Sequence, residues 1–162
     1  ILAYLVALPW TRADKAIETV ESRRERLTVI AESVSDVAKS DRLKAAFILV
    51  QFRNETDMDR AVQVCECTRW RCDPIKTQDG ILFRAHSLAQ AHQQPSWDLA
   101  TWWSFYGVER AHVDVNVKFT ARFYQPSNLA CGYSRLAGIR IGCGDEKSIN
   151  RAKQALALSR RL

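Results

Sequence analysis

Apolar residues return at helical spacing over much of this chain. Between Ala13 and Ala38, residues Ile17, Val20, Leu27, Ile30, Val34 and Val37 fall three or four apart, or at sums of these. Glu18, Ser22, Glu25, Glu32 and Asp36 take the other face. Arg23 falls on the apolar side, where its stem can pack while its head reaches water. A break near Val34-Ser35-Asp36 would divide the run into two shorter helices. Lys39-Ser40-Asp41 reads as a helix stop followed by a new N-cap. The next segment, about Asp41 to Met58, is apolar nearly all round its middle, which predicts a central, buried helix.

From about Ala61 to Pro95 the periodicity stops. Three cysteines, Pro74 and Asp79-Gly80 predict an irregular loop with a short hairpin. Further on, Val113, Val115, Val117 and Phe119 alternate as in a strand, yet Val108, Ala111, Val115, Phe119 and Arg122 also fit a helix. Local pattern leaves that segment open. Asp145 to Leu162 reads as an amphipathic helix, with Ile149, Ala152, Ala155 and Leu156 inward and Lys147, Arg151, Gln154 and Arg161 outward. The apolar residues Ile1 to Trp10 are too few to cross a bilayer. Either they are the remnant of a signal peptide or they pack on the domain. Pro9-Trp10 followed by Thr11 and Asp14 resembles the lead-in to a helix, which favours packing. The expected architecture is mainly α: residues 1–12 as an N-terminal segment on one domain formed by residues 13–162.

Composition narrows the partners. With 162 residues, 47% of them hydrophobic, the chain can bury its own core, and disorder of its bulk is excluded. The net charge of +6 favours anionic partners such as nucleic acid, acidic lipid or the anionic polymers of a bacterial envelope. The basic residues are scattered, however, and the densest cluster, Arg23-Arg24-Glu25-Arg26, is interrupted by an acid. Nucleic acid is therefore the weaker partner class. Five cysteines fall in two groups, Cys65, Cys67 and Cys72, then Cys131 and Cys143. Two disulfides and one free thiol suit an oxidising, extracytoplasmic destination. The spacing Cys-x-Cys-x4-Cys lacks the paired C-x2-C knuckles of structural zinc sites, so metal ranks below disulfide. No cofactor is expected. His86, His92 and His112 stand near no nucleophile at suggestive spacing.

The candidate chemistry lies at the end of the apolar helix. Glu55 falls one turn beyond Phe52 and two beyond Ile48, on the same face. A carboxyl held against apolar surface loses hydration and keeps its proton to higher pH, as a general acid must. Two later motifs follow. One is Arg84-Ala85-His86-Ser87-Leu88-Ala89-Gln90; the other is Cys131-Gly132-Tyr133-Ser134-Arg135-Leu136-Ala137-Gly138, ahead of Cys143.

In this order, Glu55-Thr56, Ser87-Leu88-Ala89-Gln90 and Tyr133 to Gly138 resemble the lysozyme-like superfamily, in particular the soluble lytic transglycosylase-like proteins of bacteria and phage. Those proteins carry an acid followed by serine or threonine, then glycine-leucine-x-glutamine, then tyrosine-asparagine-x-glycine. Cys72-Asp73 before the second motif resembles a disulfide-bearing branch of that family. The resemblance extends loosely over Ala13 to Leu162. It implies a helical lysozyme-like fold, a helix over Val108 to Phe123, and Glu55 as the acid that protonates the glycosidic oxygen between the amino sugars of peptidoglycan. It further implies substrate contacts from Ser87, Gln90 and Tyr133, a Cys131–Cys143 disulfide, and Cys72 paired with Cys67 or Cys65. The place of action would be the periplasm, the exterior or a phage virion, with envelope or virion proteins as further partners.

The departures are specific. Ser87 stands where glycine is usual, Ala89 where a larger side chain is common, and Arg135-Leu136 where tyrosine-asparagine is expected, with Tyr133 two positions early. Hydrolytic glycosidases place two carboxylates about the bond; Asp57, Asp59, Asp73 and Asp79 are candidates for a second. A transglycosylase needs only one, because the substrate's acetamido group and C6 hydroxyl complete the reaction. Trp97, Trp102, Trp103, Phe105 and Tyr106 read first as core and second as a sugar platform. A catalytically silent lysozyme-like virion protein and a basic nucleic-acid module, suggested by +6 and the Arg-rich terminal helix, are the alternatives.

Overall fold

Helix α4 (Arg42–Thr56) organises the molecule, and its sequence explains why. From Ala45 to Phe52 no residue exceeds 3% exposure, so the helix is buried on every side, as its all-round apolar pattern predicts. Burying a side chain such as Ile48 or Phe52 stabilises by roughly 1.5–3 kcal/mol each. The Asp41 carboxylate accepts from Lys44 N at 2.9 Å and starts the helix. Asp57 stops it by turning left-handed (φ 51°), with its N–H returned to Arg53 O. Glu55 therefore sits in the last turn, at the rim of the core.

The computed structural model describes residues 1–66, 74–77, 80–83, 85–92, 98–138 and 143–162, the side chains of 12–14, 74–77, 80–83, 85–86, 92, 99 and 102 excepted. Around α4 pack α3 (Val20–Ala38), α7 (Arg110–Ala121) and α9 (Glu146–Ser159). Short helices α1 (Leu2–Val6), α2 (Arg12–Ile17), α5 (Arg60–Gln63), α6 (Leu99–Trp103) and α8 (Leu129–Leu136) fill the ends. Strands β1 (Pro74–Thr77) and β2 (Gly80–Phe83) pair antiparallel, Pro74 opposite Phe83, and β3 (Ala85–His86) pairs with β4 (Ala91–His92) in a two-residue ladder. The chain is thus mainly helical with a small β region. The segment with alternating valines is α7, a helix whose buried Val113 and Val117 lie one turn apart.

Four expectations from the sequence are corrected by the structure. The first helical run breaks at Glu18-Thr19, not near Val34-Ser35-Asp36. Thr19 and Ser22 form a reciprocal capping box that restarts the chain as α3. Ile17 and Val20, assigned to the apolar face, are exposed, and Glu18 is buried instead. Arg23 does not reach water: its guanidinium donates to Leu8 O at 3.1 Å and lies over the Trp10 ring. That contact helps seat the N-terminal residues, whose Leu5 and Leu8 are buried and whose α1 packs on α3. The buried face of α9 is displaced too. Ser148, Ala155 and Leu158 face the core, while Ile149 and Leu156 are exposed and Arg151 turns inward.

A buried ion pair closes the break before α3. Arg26 Nε and Nη2 donate to the two oxygens of Glu18 at 2.7 and 2.8 Å, and Nη1 donates to Met58 O and Gln63 Oε1. Gly132 lets α8 approach the chain that follows α7: a Cβ there would stand 2.4 Å from Phe123 O and 3.1 Å from the Phe47 ring of α4. The disulfide Cys131–Cys143 then ties α8 to the start of α9.

Candidate functional site

The carboxyl of Glu55 opens onto a cleft of about 310 Å³ built by four parts of the chain. Helix α4 contributes Gln51 and Glu55, and the turn between β3 and β4 contributes Gln90. The end of α8 gives Leu136 and Ala137, and the first two turns of α9 give Lys147, Ser148 and Arg151 behind their N-cap Asp145. Glu55 and Gln90, read from separate motifs, are thereby brought to one surface.

Glu55 does not have the apolar setting expected for its carboxyl. Ile48 and Phe52 are buried, but the acid's nearest neighbour is a cation, with Arg151 Nη2 2.6 Å from Oε1. The other arm of the same guanidinium, Nη1, donates to Gln51 Oε1 at 3.1 Å. Gln51 and Glu55 are one turn apart on α4, so one arginine from α9 clamps both. Glu55 retains 27% side-chain exposure and Arg151 14%, which leaves the pair open to the cleft.

The clamp extends into the β3–β4 turn. Gln51 Nε2 donates to Ala89 O, and from the other side Asn116 Oδ1 of α7 accepts from Ala89 N at 3.0 Å. Asn116 is fully buried and uses its amide N on Phe105 O and His112 O, so its hydrogen bonds are satisfied. Ser87 and Gln90 flank the turn in the left-handed region, φ 48° and 45°. Glycine would adopt that conformation without the cost of a Cβ, which Ser87 carries. Here the Ser87 hydroxyl donates to Gln63 O instead. Gln90 is held by its amide, which donates to Ser87 O at 2.8 Å, and it stays half-buried at the cleft.

Two residues expected to touch substrate lie elsewhere. Ser87 is fully buried behind the turn, where it supports the backbone. Tyr133 is fully buried as well, its ring stacked on Phe47 and its hydroxyl donating to Phe47 O at 3.0 Å. Burial pushes the phenol well above its ordinary range. Large aromatic side chains on apolar helices fill cores, and this one fastens α8 to α4.

Of the cysteines, Cys131 and Cys143 are joined as the resemblance implies, while Cys67 and Cys72 lie outside the described residues. Cys65 is a free thiol, so it is not the partner of Cys72. Burial raises its pKa, opposed by a hydrogen bond with Tyr106. Phe105 and Tyr106 are core residues, and Trp103 is half exposed. Among the described residues no group of three potential metal ligands occurs, and no helix is long and apolar enough to cross a membrane.

The candidates for a second carboxylate fare as follows. Asp59 is fully buried as the N-cap of α5, and Asp57 faces a different cavity beside Trp10. Asp73 and Asp79 lie outside the described residues. The carboxyl that does share the cleft is Asp145, which the sequence reading missed. The Ser148 and Ser134 hydroxyls and the Ser148 N–H hold it down to about 2. A carboxylate so stabilised is a poor proton acceptor near neutrality. Its signal in the sequence was the N-cap pattern of aspartate three residues before serine. Gln51 had a signal too, as the one polar residue within the apolar run of α4. Chemically the cleft offers two carboxyls, of which Asp145 is committed to its helix cap, two cations and the Gln90 amide, able to hold a hydroxyl or acetamido group. No protein-family model, curated protein or solved structure matches this chain.

Proposed function

We propose that this chain is a lysozyme-like muramidase of the lytic transglycosylase type, acting on the MurNAc–GlcNAc bond of peptidoglycan in a bacterial envelope or from a phage particle. The observation that carries the reading is the shared cleft: Glu55 and Gln90, from two separate motifs, face one polar groove. The commitment of Asp145 to its helix cap favours single-acid chemistry.

In the first step Glu55, as the carboxylic acid, gives its proton to the glycosidic oxygen. The substrate's own acetamido oxygen supports the anomeric carbon as the bond breaks. In the second step the substrate's C6 hydroxyl attacks that carbon, displaces the acetamido oxygen, and loses its proton to the Glu55 carboxylate. The acid is thereby restored and the product carries an anhydro ring. Gln90 supplies an amide contact for the sugar, while Gln51, itself buried, holds Arg151 and the turn that carries Gln90. Arg151 must loosen its hold on Oε1 as substrate enters, and sugar oxygens competing for the guanidinium would do this.

The Glu55–Arg151 pair also favours a second reading, a catalytically silent lysozyme-like virion component in which the old acid has become a structural ion pair. Digestion of purified peptidoglycan followed by mass spectrometry separates the two. The enzyme releases muropeptides one water lighter than hydrolysis products, and Glu55→Gln lowers their yield by roughly 10²- to 10⁴-fold. Absence of any soluble muropeptide from the wild-type protein removes the enzymatic reading in favour of the silent one.

A further inference from the structure

Beyond Arg151 the groove continues into a second cavity of about 370 Å³, lined by Asn54, Lys147, Asn150, Arg151 and Gln154. Its chemistry differs from that of the inner cleft. There Glu55 and Asp145 offset Lys147 and Arg151; here the same two cations meet three amides, with no further carboxyl in the lining. Arg151 is partly neutralised by Glu55, but Lys147 forms no ion pair among the described residues. The rim is preset, because Asn54 Nδ2 donates to Gln154 Oε1 at 2.9 Å and to Val50 O at 2.8 Å. A preformed, cationic, amide-lined hollow suits an anion that hydrogen-bonds.

We propose that this outer cavity is a carboxylate-binding subsite in which Lys147 supplies the charge and the amide N–H groups of Asn150 and Gln154 supply neutral hydrogen bonds, with Asn54 holding Gln154 in place. The proposal rests on the reading of the inner cleft as a glycan site, since a chain lying over Glu55 would continue across Arg151 into it. The carboxylate has two possible sources on such a polymer, the lactyl ether of muramic acid or the peptide attached to it. A neutral N-acetylglucosamine polymer has neither, so the subsite discriminates between glycans by charge.

Titration calorimetry at low salt with N-acetylmuramic acid, its methyl ester and muramyl dipeptide tests this. Should the lactyl group be the source, the acid binds more tightly than the ester by roughly three- to fivefold, the scale of an exposed ion pair. Lys147→Gln erases that preference and Lys147→Arg keeps it. Should the peptide be the source, acid and ester bind alike, and muramyl dipeptide alone loses affinity in Lys147→Gln. Added salt shrinks whichever preference is seen. Lys147 is exposed on the first turn of α9, so both variants retain the fold, which circular dichroism checks.

Binding of all three compounds unaltered by Lys147→Gln overturns the proposal, as does absence of binding by any of them. Peptidoglycan digestion with the same proteins keeps the two readings apart. Charge-dependent binding without cleavage keeps the subsite and removes the enzyme. Cleavage that needs Glu55, with binding blind to Lys147, removes the subsite alone.

Discussion

Two of the arginine–glutamate pairs among the described residues, Arg26–Glu18 and Arg151–Glu55, are built to opposite specifications. Glu18 and Arg26 have side-chain exposures of 2% and 3%; the guanidinium meets both carboxylate oxygens, a backbone carbonyl and an amide oxygen. Glu55 and Arg151 meet through a single contact at the edge of a cleft, with Gln51 taking the second arm. A buried charge is tolerated only when its partners are complete, whereas a charge at a rim can exchange partners with a ligand. The first pair fixes where α3 begins. The second, partly exposed, is free to exchange partners.

The contrast breaks most visibly at Arg26. Arg26→Met leaves Glu18 buried without its guanidinium and lowers stability by about 3–5 kcal/mol, measured by urea denaturation. Next comes Asn116→Ala, which orphans Ala89 N and Phe105 O. It costs about 3 kcal/mol, and because Gln90 follows Ala89 in the same turn, it also weakens glycan cleavage under the proposed function. Arg151→Gln should change stability by less than about 1 kcal/mol, since its ion pair is partly exposed. A loss comparable to that of Arg26→Met would erase the distinction between the two pairs.

The smallest effect concerns Asp145 at the floor of the open site. Its carboxyl is held down to about 2, below the ordinary aspartate value of about 3.9. Its contribution is therefore complete above about pH 4 and is lost as the pH falls through about 2. Asp145→Asn, which also caps a helix, should lack this dependence. Unfolding midpoints of the two proteins followed from neutral to acid pH check it, with the wild type losing stability relative to the variant only in that window.

Local pattern made α4 legible in full, because a helix apolar on every side has one place to go and Asp41 marks its start. It failed where distant charges decide the geometry. The capping box at Thr19 and Ser22 was present in the sequence, but the spacing of Ile17 and Val20 ran through it as though the helix were continuous. What breaks the helix there is Glu18 turning inward to a guanidinium, which no apolar periodicity encodes. Arg151 was placed outward for the same reason, since its partners Gln51 and Glu55 lie on α4, distant in sequence. For the site, Glu55 and Gln90 were legible as motif residues, and the structure brings them together. Ser87 and Tyr133 were read as contacts where they are supports, because spacing carries no information about which side of a turn faces solvent.

If the open pair serves chemistry, cleavage needs the Glu55 carboxyl. Wild-type protein and Glu55→Gln, matched in thermal stability, are incubated with purified peptidoglycan, and released muropeptides are counted by mass spectrometry. The account predicts anhydro-muropeptides from the wild type and roughly a hundredfold fewer, or none, from the variant. Equal release by both proteins would contradict it, because the cleft would then cleave without its acid.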